Sequence, residues 1–256
     1  MAVYSIFFSP TGGTKKVMDC IVSAWEDVKE VDLSEPTADY STHRFTEKDI
    51  CLIGFPVFEG RVPPIVLERL KKMSAKNTPC AMIAVFGNRA INDALLEMKN
   101  ELLSIGFLPY AAVSAVAQHS SLPMYGVGRP DKEDKTQLND FSAKLKKAAQ
   151  GTLKPVNVPG EEPYIVIPIQ PWYPEFDSEK CTGCQLCATL CPTGAIDKND
   201  LSRLDTEVCA KCVRCVSVCP TGARYLDPAR REAIAERLAK MFYERKPNML
   251  YICEEE

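Results

Sequence analysis

The chain has 256 residues, with 31 basic and 34 acidic side chains and a formal net charge of −3. That balance gives no basic surface for nucleic acid or an anionic membrane, and no apolar run approaches the about 18–20 residues of a membrane-spanning helix. The first residues contain no basic side chain and no small-residue cleavage site, so we interpret them as a strand and not as a signal peptide. We therefore expect a cytoplasmic protein with reduced thiols and about two domains.

Strands and helices are predicted to alternate through residues 1–150. Continuous apolar runs predict strands that are covered on both faces, and apolar residues at helical spacing predict helices between them. Strands are expected at 3–8, 49–58, 79–87 and 107–117, and residues 28–33 can form a further strand. Helices are expected around 17–24, 63–73, 91–102 and 138–148. The order is βαββαβαβα, or a complete βα repeat if a short helix forms near 39–45. This order predicts a parallel sheet with helices on both faces, in which ligands bind beyond the carboxyl ends of the strands.

Four polar segments follow those strands and are the candidate ligand loops. The first, Ser9 to Thr14, places two glycines and three hydroxyls between a strand and a helix, and its N–H groups and hydroxyls can hold a phosphate. It has neither the P-loop pattern nor GxGxxG. The other three are residues 54–63, residues 86–89 with Asp93, and residues 118–121. Each alone is also consistent with a routine turn, but together they supply the aromatic face, amides and arginine that suit a planar, electron-rich ring.

These loops carry a resemblance to a known family. S-P-T-G-G-T resembles the FMN phosphate loop of flavodoxins, [ST]-x-T-G-x-[ST], and the element order looks like the flavodoxin fold with strand order 2-1-3-4-5. P-V-F-E-G-R-V-P and F-G-N-R resemble the flavin-ring loops of flavodoxin-like domains that are fused to ferredoxins. The resemblance implies that FMN phosphate binds to Ser9, Thr11, Gly12, Gly13 and Thr14. It places the ring against Pro56, Val57, Phe58, Gly60, Arg61, Phe86, Gly87, Asn88, Arg89 and Asp93, with Gln118, His119 and Ser120 as further candidates. An ordinary loop histidine is an equally good interpretation of His119.

The cysteines provide a second motif. Of 12 cysteines, eight lie between Cys181 and Cys219, and they form the pattern C-x2-C-x2-C-x3-C-P twice, with the second copy 28 residues after the first. Three thiolates on one tight loop can bind three irons of a cubane, whereas a zinc site would be complete with two C-x2-C pairs. The repeat therefore favours two [4Fe–4S] clusters over zinc. The isolated Cys20, Cys51 and Cys80 are expected to be buried apolar residues.

The repeated segment resembles a bacterial dicluster ferredoxin. In those proteins the cysteine before the proline ligates the other cluster. The resemblance therefore implies one ligand set of Cys181, Cys184, Cys187 and Cys219, and a second set of Cys209, Cys212, Cys215 and Cys191.

The predicted organisation is a flavodoxin-like α/β domain (1–150), a proline-rich extended linker (151–172), a small α+β dicluster ferredoxin module (173–228), and a carboxyl-terminal helix and tail (229–256). Trp172 and Tyr173 are candidates for the junction, although plain core packing is as consistent with them. The whole arrangement is similar to the flavodoxin–ferredoxin fusion family.

FMN accepts one or two electrons and a [4Fe–4S] cluster passes one, so we expect an electron-transfer protein. Its partner would be a low-potential ferredoxin or reductase, or a small-molecule acceptor. An FMN-dependent reductase of a quinone, nitro compound or similar molecule is the alternative, and the sequence leaves open whether the chain is an enzyme. A redox sensor is a third hypothesis, without a supporting motif.

Overall fold

The computed structural model describes residues 2–168 and 171–253. Its helices and strands follow the predicted order closely. In chain order the elements are β1 (Val3–Phe7), α1 (Gly13–Ile21), β2 (Val28–Asp32), a 3-10 helix (Tyr40–Thr42), β3 (Arg44–Phe45), β4 (Ile50–Pro56), α2 (Pro64–Leu70), β5 (Ser74–Ala75), β6 (Thr78–Phe86), α3 (Ala94–Ile105), β7 (Phe107–Val116), α4 (Lys132–Ala148), β8 (Glu175–Phe176), α5 (Leu186–Thr189), α6 (Arg214–Ser217), β9 (Arg224–Tyr225), α7 (Pro228–Phe242) and β10 (Met249–Ile252).

The central sheet has the order β10-β7-β6-β4-β1-β2 within the described ranges. Strands β2, β1, β4, β6 and β7 are parallel, and Val3 of β1 lies opposite both Val28 and Ile50. These five strands have the 2-1-3-4-5 order of the flavodoxin fold, which confirms the predicted fold class. The long apolar runs explain the agreement, because β6 is buried along its whole length.

Helices cover both faces of the sheet, as the alternation predicted. Helices α1 and α4 pack on one face around Val17, Ile21 and Phe141, and α2 and α3 pack on the other around Val66 and Met98. The isolated cysteines of this domain are buried in these two cores, as expected, and Cys51 and Cys80 lie opposite each other on neighbouring strands. Burial raises the pKa of both strand thiols well above the usual value.

The carboxyl-terminal tail returns to the sheet of the first domain, a pairing that the sequence did not predict. Helix α7 is present, but the residues after it form β10, which pairs antiparallel with β7 and extends the sheet of the first domain. Asn248 holds the start of β10 on the first domain. Its Oδ1 accepts the Val116 N–H at 2.9 Å, and its Nδ2 donates to Asp134 at 3.0 Å. The segment between the connector and α7 is therefore attached to the first domain at both of its ends.

The proline-rich connector forms neither helix nor strand over 151–168 and 171–172, as predicted. It is nevertheless held at several points along the first domain. The Val156 N–H donates to the Pro109 carbonyl at 2.8 Å, and the N–H groups of Glu161 and Ile165 donate to the Asp93 carboxylate at 3.1 and 2.6 Å. The connector is thus a fixed strap and not a free linker.

The cysteine-rich module is small and two-fold repetitive. Its β8 and β9 pair antiparallel, and α5 and α6 are single turns that present Cys187 and Cys215 to a small shared core. Arg224 is buried in the module with its guanidinium over the Phe176 ring, 4.9 Å from the centroid. None of the helices in the described ranges combines the length and apolar character that a membrane crossing requires.

Candidate functional site

A cavity of about 1340 Å³ lies between the carboxyl edge of the sheet, the connector, the cysteine-rich module and α7. The strand-exit loops converge on it because parallel strands end at one edge. Fourteen of the 18 residues predicted to bind FMN line this cavity. They are Ser9, Thr11, Gly13, Thr14, Pro56, Val57, Phe58, Arg61, Phe86, Gly87, Arg89, Gln118, His119 and Ser120.

The loop before α1 presents a group of unpaired donors to the cavity. Two hydrogen bonds fix its shape: the Ser9 N–H donates to Ser34 Oγ at 2.7 Å, and Ser9 Oγ accepts the Lys15 N–H at 2.9 Å. Gly12 has a φ of 84°, a left-handed conformation that favours glycine. Within the described residues, no hydrogen bond is made by the N–H groups of Thr11, Gly13 and Thr14 or by the two threonine hydroxyls. Such a donor set at a helix amino end fits a phosphate group.

The loop after β4 is a tight turn closed by its own backbone. Phe58 and Arg61 exchange hydrogen bonds of 3.0 and 2.9 Å, while Glu59 and Gly60 adopt φ values of 55° and 80°. A Cβ on Gly60 would come within 2.7 Å of Asn92 Oδ1. Gly60 therefore shapes the loop and does not line the cavity, whereas Phe58 offers the predicted aromatic side chain to it.

A buried carboxylate that the sequence did not reveal holds this loop. Glu97 on α3 accepts hydrogen bonds from Arg61 Nε at 2.8 Å and Nη2 at 2.6 Å, and from the Val62 N–H at 2.8 Å. Its hydrogen bond raises the pKa of Arg61. The remaining Arg61 nitrogen donates to the Ile165 carbonyl at 3.3 Å. Arg61 therefore lines the cavity as part of a neutral pair, and spacing along the chain gave no signal of its partner.

Two predicted flavin contacts have other partners. Asn88 donates through Nδ2 to the backbone carbonyls of Phe242 and Glu244 at 2.7 and 3.0 Å, which anchors the end of α7. Asp93 accepts the connector N–H groups described above. Asn88, Asp93, Gly12 and Gly60 are the four predicted residues that do not line the cavity. Both polar side chains follow a strand, as a ligand contact would, but they bind backbone from distant segments.

His119 is a half-buried imidazole beside Arg89. Its Nδ1 accepts the Leu122 N–H at 3.2 Å, which leaves the ring proton on Nε2. Burial lowers the pKa of His119 to about 4, and the positive charge of Arg89 acts in the same direction. A Cβ on Gly87 would come within 2.5 Å of the imidazole, so glycine is required there. The site thus contains a ring N–H donor that stays neutral near pH 7.

Four of the clustered cysteines share one small cavity in the module. Cys181, Cys184, Cys187 and Cys219 line it together with Phe176 and Arg224. Cys219 belongs to the second repeat and the other three to the first. The structure therefore brings together the first ligand set that the resemblance implied.

The remaining four cysteines are grouped on the side of the module that faces the first domain. Burial raises the pKa of Cys212 to about 11 and of Cys215 to about 12, and the thiol of Cys191 acts in the same direction on both and on Cys209. Such effects require proximity, so Cys191 lies beside the second repeat. No group of three or more His, Cys, Asp or Glu in the described ranges could hold a single metal ion. In a cubane each thiolate binds a different iron, so the ligands need not converge on one point.

The module is seated on the first domain beside the large cavity. Ala210 and Cys212 pack against the α2–α3 face of the core, and Cys209 and Cys212 line the cavity itself. Polar contacts across the junction join Arg69 Nη2 to the Pro192 carbonyl, Arg214 Nη1 to the Ser34 carbonyl at 3.2 Å, and Lys211 Nζ to Glu59 at 3.3 Å. The Cys191 set is therefore proximal to the loop cavity, and the Cys181 set is distal.

Two segments of the cysteine-rich module match a known family. Residues 174–197 and 206–222 each match a family model described as a 4Fe-4S binding domain. No curated protein sequence matches the chain. Similar solved structures include the flavodoxin of Streptococcus pneumonia TIGR4, with 16% identity over 57% of this chain and 99% of that chain and a TM-score of 0.42. A flavodoxin from the domain Archaea has 12% identity over 59% of this chain and 100% of that chain, also with a TM-score of 0.42.

A third similar structure, the rubredoxin oxygen:oxidoreductase of Desulfovibrio gigas, has 13% identity over 58% of this chain and 36% of that chain, with a TM-score of 0.41. At these scores the fold assignment rests on the strand order and not on the matches. The chain joins a flavodoxin-like α/β domain to segments of the 4Fe-4S binding type.

Proposed function

We propose that this chain is an electron-transfer protein that carries FMN and two [4Fe–4S] clusters and passes electrons between them. The observation that carries the proposal is the shared cavity: the predicted FMN loops and two cysteines of the proximal set line the same space. When bound, the clusters supply one-electron steps and FMN supplies one- and two-electron steps.

The residues present fit FMN at the strand-exit loops. The unpaired N–H and hydroxyl groups of the Ser9–Thr14 loop would hold the phosphate without a lysine. The loops at Phe58 and Gly87 would flank the ring, and His119 would donate its Nε2 hydrogen to an acceptor there. Glu97 keeps Arg61 in place but neutralises it, so that Arg89 is the cation left on this side.

The cysteine arrangement orders the electron path. The distal set includes Cys184, which is exposed, and so supplies the contact point for an external redox partner such as a ferredoxin or reductase. The proximal set lies against the cavity wall through Cys209 and Cys212. The two attachments of the module, at the connector and at β10, hold the sets at a fixed place relative to the loops and replace a diffusive encounter with a permanent one.

Anaerobic purification followed by cofactor analysis tests the proposal. We expect about eight iron and eight sulfide ions and one FMN per chain. Serine at Cys209 and Cys212 should remove the proximal cluster and abolish bleaching of the flavin band by a reduced low-potential ferredoxin. C20S, at an isolated cysteine, is the matched control and should leave the rate of flavin bleaching unchanged. Bound zinc without flavin would contradict the proposal.

A second candidate, an FMN-dependent reductase of a small molecule, is favoured by one observation. The cavity is larger than the roughly 300–1,000 Å³ of an ordinary ligand site, which leaves room beside a cofactor. Steady-state oxidation of reduced ferredoxin with and without added quinones or nitro compounds separates the two functions, because only a reductase would turn over these acceptors with saturation.

A further inference from the structure

One side of the large cavity has no role in the FMN and cluster sites. Its wall is formed by Val166 and Trp172 of the connector and by one face of α7. We name this side the α7 compartment and define it by Val166, Trp172, Ile234, Arg237, Leu238 and Met241. None of these residues belongs to a strand-exit loop or a cysteine repeat. The total volume of about 1340 Å³ exceeds the roughly 300–1,000 Å³ of an ordinary ligand site, which leaves room for a second ligand beside FMN.

The compartment is apolar and partly open to solvent. Val166 is 83% exposed and Met241 is 47% exposed, and both line the cavity. Exposed apolar side chains that line a cavity are typical of a surface that binds a ligand. Ile234, Leu238 and Trp172 lie deeper and pack against Phe242 and Leu122. The wall therefore suits the apolar body of a small molecule.

The two charged residues that α7 contributes to the cavity wall, Arg230 and Arg237, are both positive. Arg230 and Arg237 are seven residues apart on α7, which puts them two turns apart on the cavity face of the helix. Arg230 also donates to the Pro171 carbonyl at 2.8 Å, whereas Arg237 forms no ion pair or hydrogen bond within the described ranges. The acidic cavity residues, Glu59, Glu68 and Glu97, all belong to the first domain.

We infer that the α7 compartment binds a small organic anion with an apolar body, a carboxylate next to Arg237 and its hydrocarbon part against Leu238 and Met241. The guanidinium recognises a carboxylate by charge-assisted hydrogen bonds, and among the described residues no carboxylate of α7 or of the connector lines the cavity beside it. As a neighbour of the FMN loops the anion would be a substrate or effector of the proposed electron-transfer site, and in this respect the inference rests on the proposed function.

The test uses 3-phenylpropionate as the probe and the neutral 3-phenylpropionamide as its control, titrated into the full chain purified anaerobically. Calorimetry gives the affinity. Fluorescence gives a second readout, because Trp172 lines the compartment and the chain's other tryptophan, Trp25, lies in the core of the opposite sheet face. In a W25F background the signal comes from Trp172 alone. We expect the acid to bind at least about tenfold more tightly than the amide.

Two pairs of variants locate the binding. R237Q should weaken the acid about tenfold and leave the amide unchanged, and R203Q, on an exposed loop of the cysteine-rich module, should change neither. A233W should fill the compartment and abolish binding of both probes, whereas A229W, on the same helix but away from the cavity, should not. Equal binding of acid and amide, unchanged binding in A233W, or no binding at millimolar concentrations would overturn the inference.

Cofactor content separates this inference from the proposed function. A chain that holds FMN and iron and bleaches its flavin with reduced ferredoxin, but does not bind 3-phenylpropionate, refutes the inference alone. A chain without FMN refutes the proposed function, and Trp172 fluorescence then still decides whether the compartment binds the anion.

Discussion

Glu97 is the buried carboxylate that holds the loop after β4. Its contacts set how much unfolding free energy is lost when alanine replaces it. Its side chain is 8% exposed and accepts three hydrogen bonds, two from Arg61 and one from the Val62 N–H. Breaking a buried ion pair costs about 3–5 kcal/mol. Because the Arg61 side chain is 31% exposed, water can take over part of its charge, and we expect about 2–4 kcal/mol for E97A.

Thermal unfolding followed by circular dichroism under anaerobic conditions measures this loss. In a chain of this size each kcal/mol lowers Tm by about 2–4 °C, so E97A should melt about 4–16 °C below the wild type. E97Q keeps one oxygen for the Val62 N–H, so its Tm should lie between those of E97A and the wild type. E101A is the matched control on the same helix. Within the described part of the chain the Glu101 carboxylate pairs only with Lys71, at 3.0 Å on the surface, so its loss should cost less than about 1 kcal/mol. If E97A melts no lower than E101A, the assignment of Glu97 as the anchor of the loop is wrong.

Three further changes test other parts of the site and its supports. His119 has a pKa of about 4 in the folded chain against an ordinary value of 6.5, so on acidification the unfolded chain takes up a proton before the folded one does. Stability should therefore fall between pH 7 and 4 by up to about 3 kcal/mol, and H119Q, but not H43Q, should flatten that part of a Tm-against-pH curve. N248A removes a 2% exposed side chain with one accepted and two donated hydrogen bonds, and we expect a loss of about 2–3 kcal/mol in the unfolding free energy. T14A should weaken FMN binding about tenfold in a fluorescence titration, by loss of one phosphate donor, while T136A on the exposed face of α4 should not; equal affinities would remove Thr14 from the phosphate site.

The sequence predicted β1, β4, β6 and β7 because each is a largely apolar run that the sheet buries, whereas the edge strand β2 (V-K-E-V-D) is mostly polar and carried a weaker signal. It missed β10 for a related reason. Its four residues, M-L-Y-I, follow Pro247 and Asn248, and such a short apolar run after a turn-forming pair does not distinguish an edge strand from a tail. The antiparallel pairing with β7 depends on where α7 delivers the chain, which is a property of the tertiary structure.

The candidate site was predictable where chemistry is encoded in local spacing. The phosphate loop needs glycines and hydroxyls within six residues, and the cysteine repeats place their ligands on single turns. The partners of Asn88 and Asp93 could not be inferred, because they are backbone groups of Phe242 and Ile165, more than 70 residues away along the chain. For the same reason the cavity wall formed by α7 was not foreseen, although the helix itself was.

The residues that support the loops also hold the two ends of the cysteine-rich module. Asp93 and Arg61 bind the connector, and Asn88, next to Gly87 in the predicted flavin loop, binds the backbone at the end of α7. A ligand that orders these loops must therefore also favour the docked position of the module. Linkage requires the reverse effect to be equal, so that docking of the module strengthens binding at the loops. The shared supports thus couple ligand binding at the loops to the placement of the proximal cysteines, so that loss of one connector contact should weaken both.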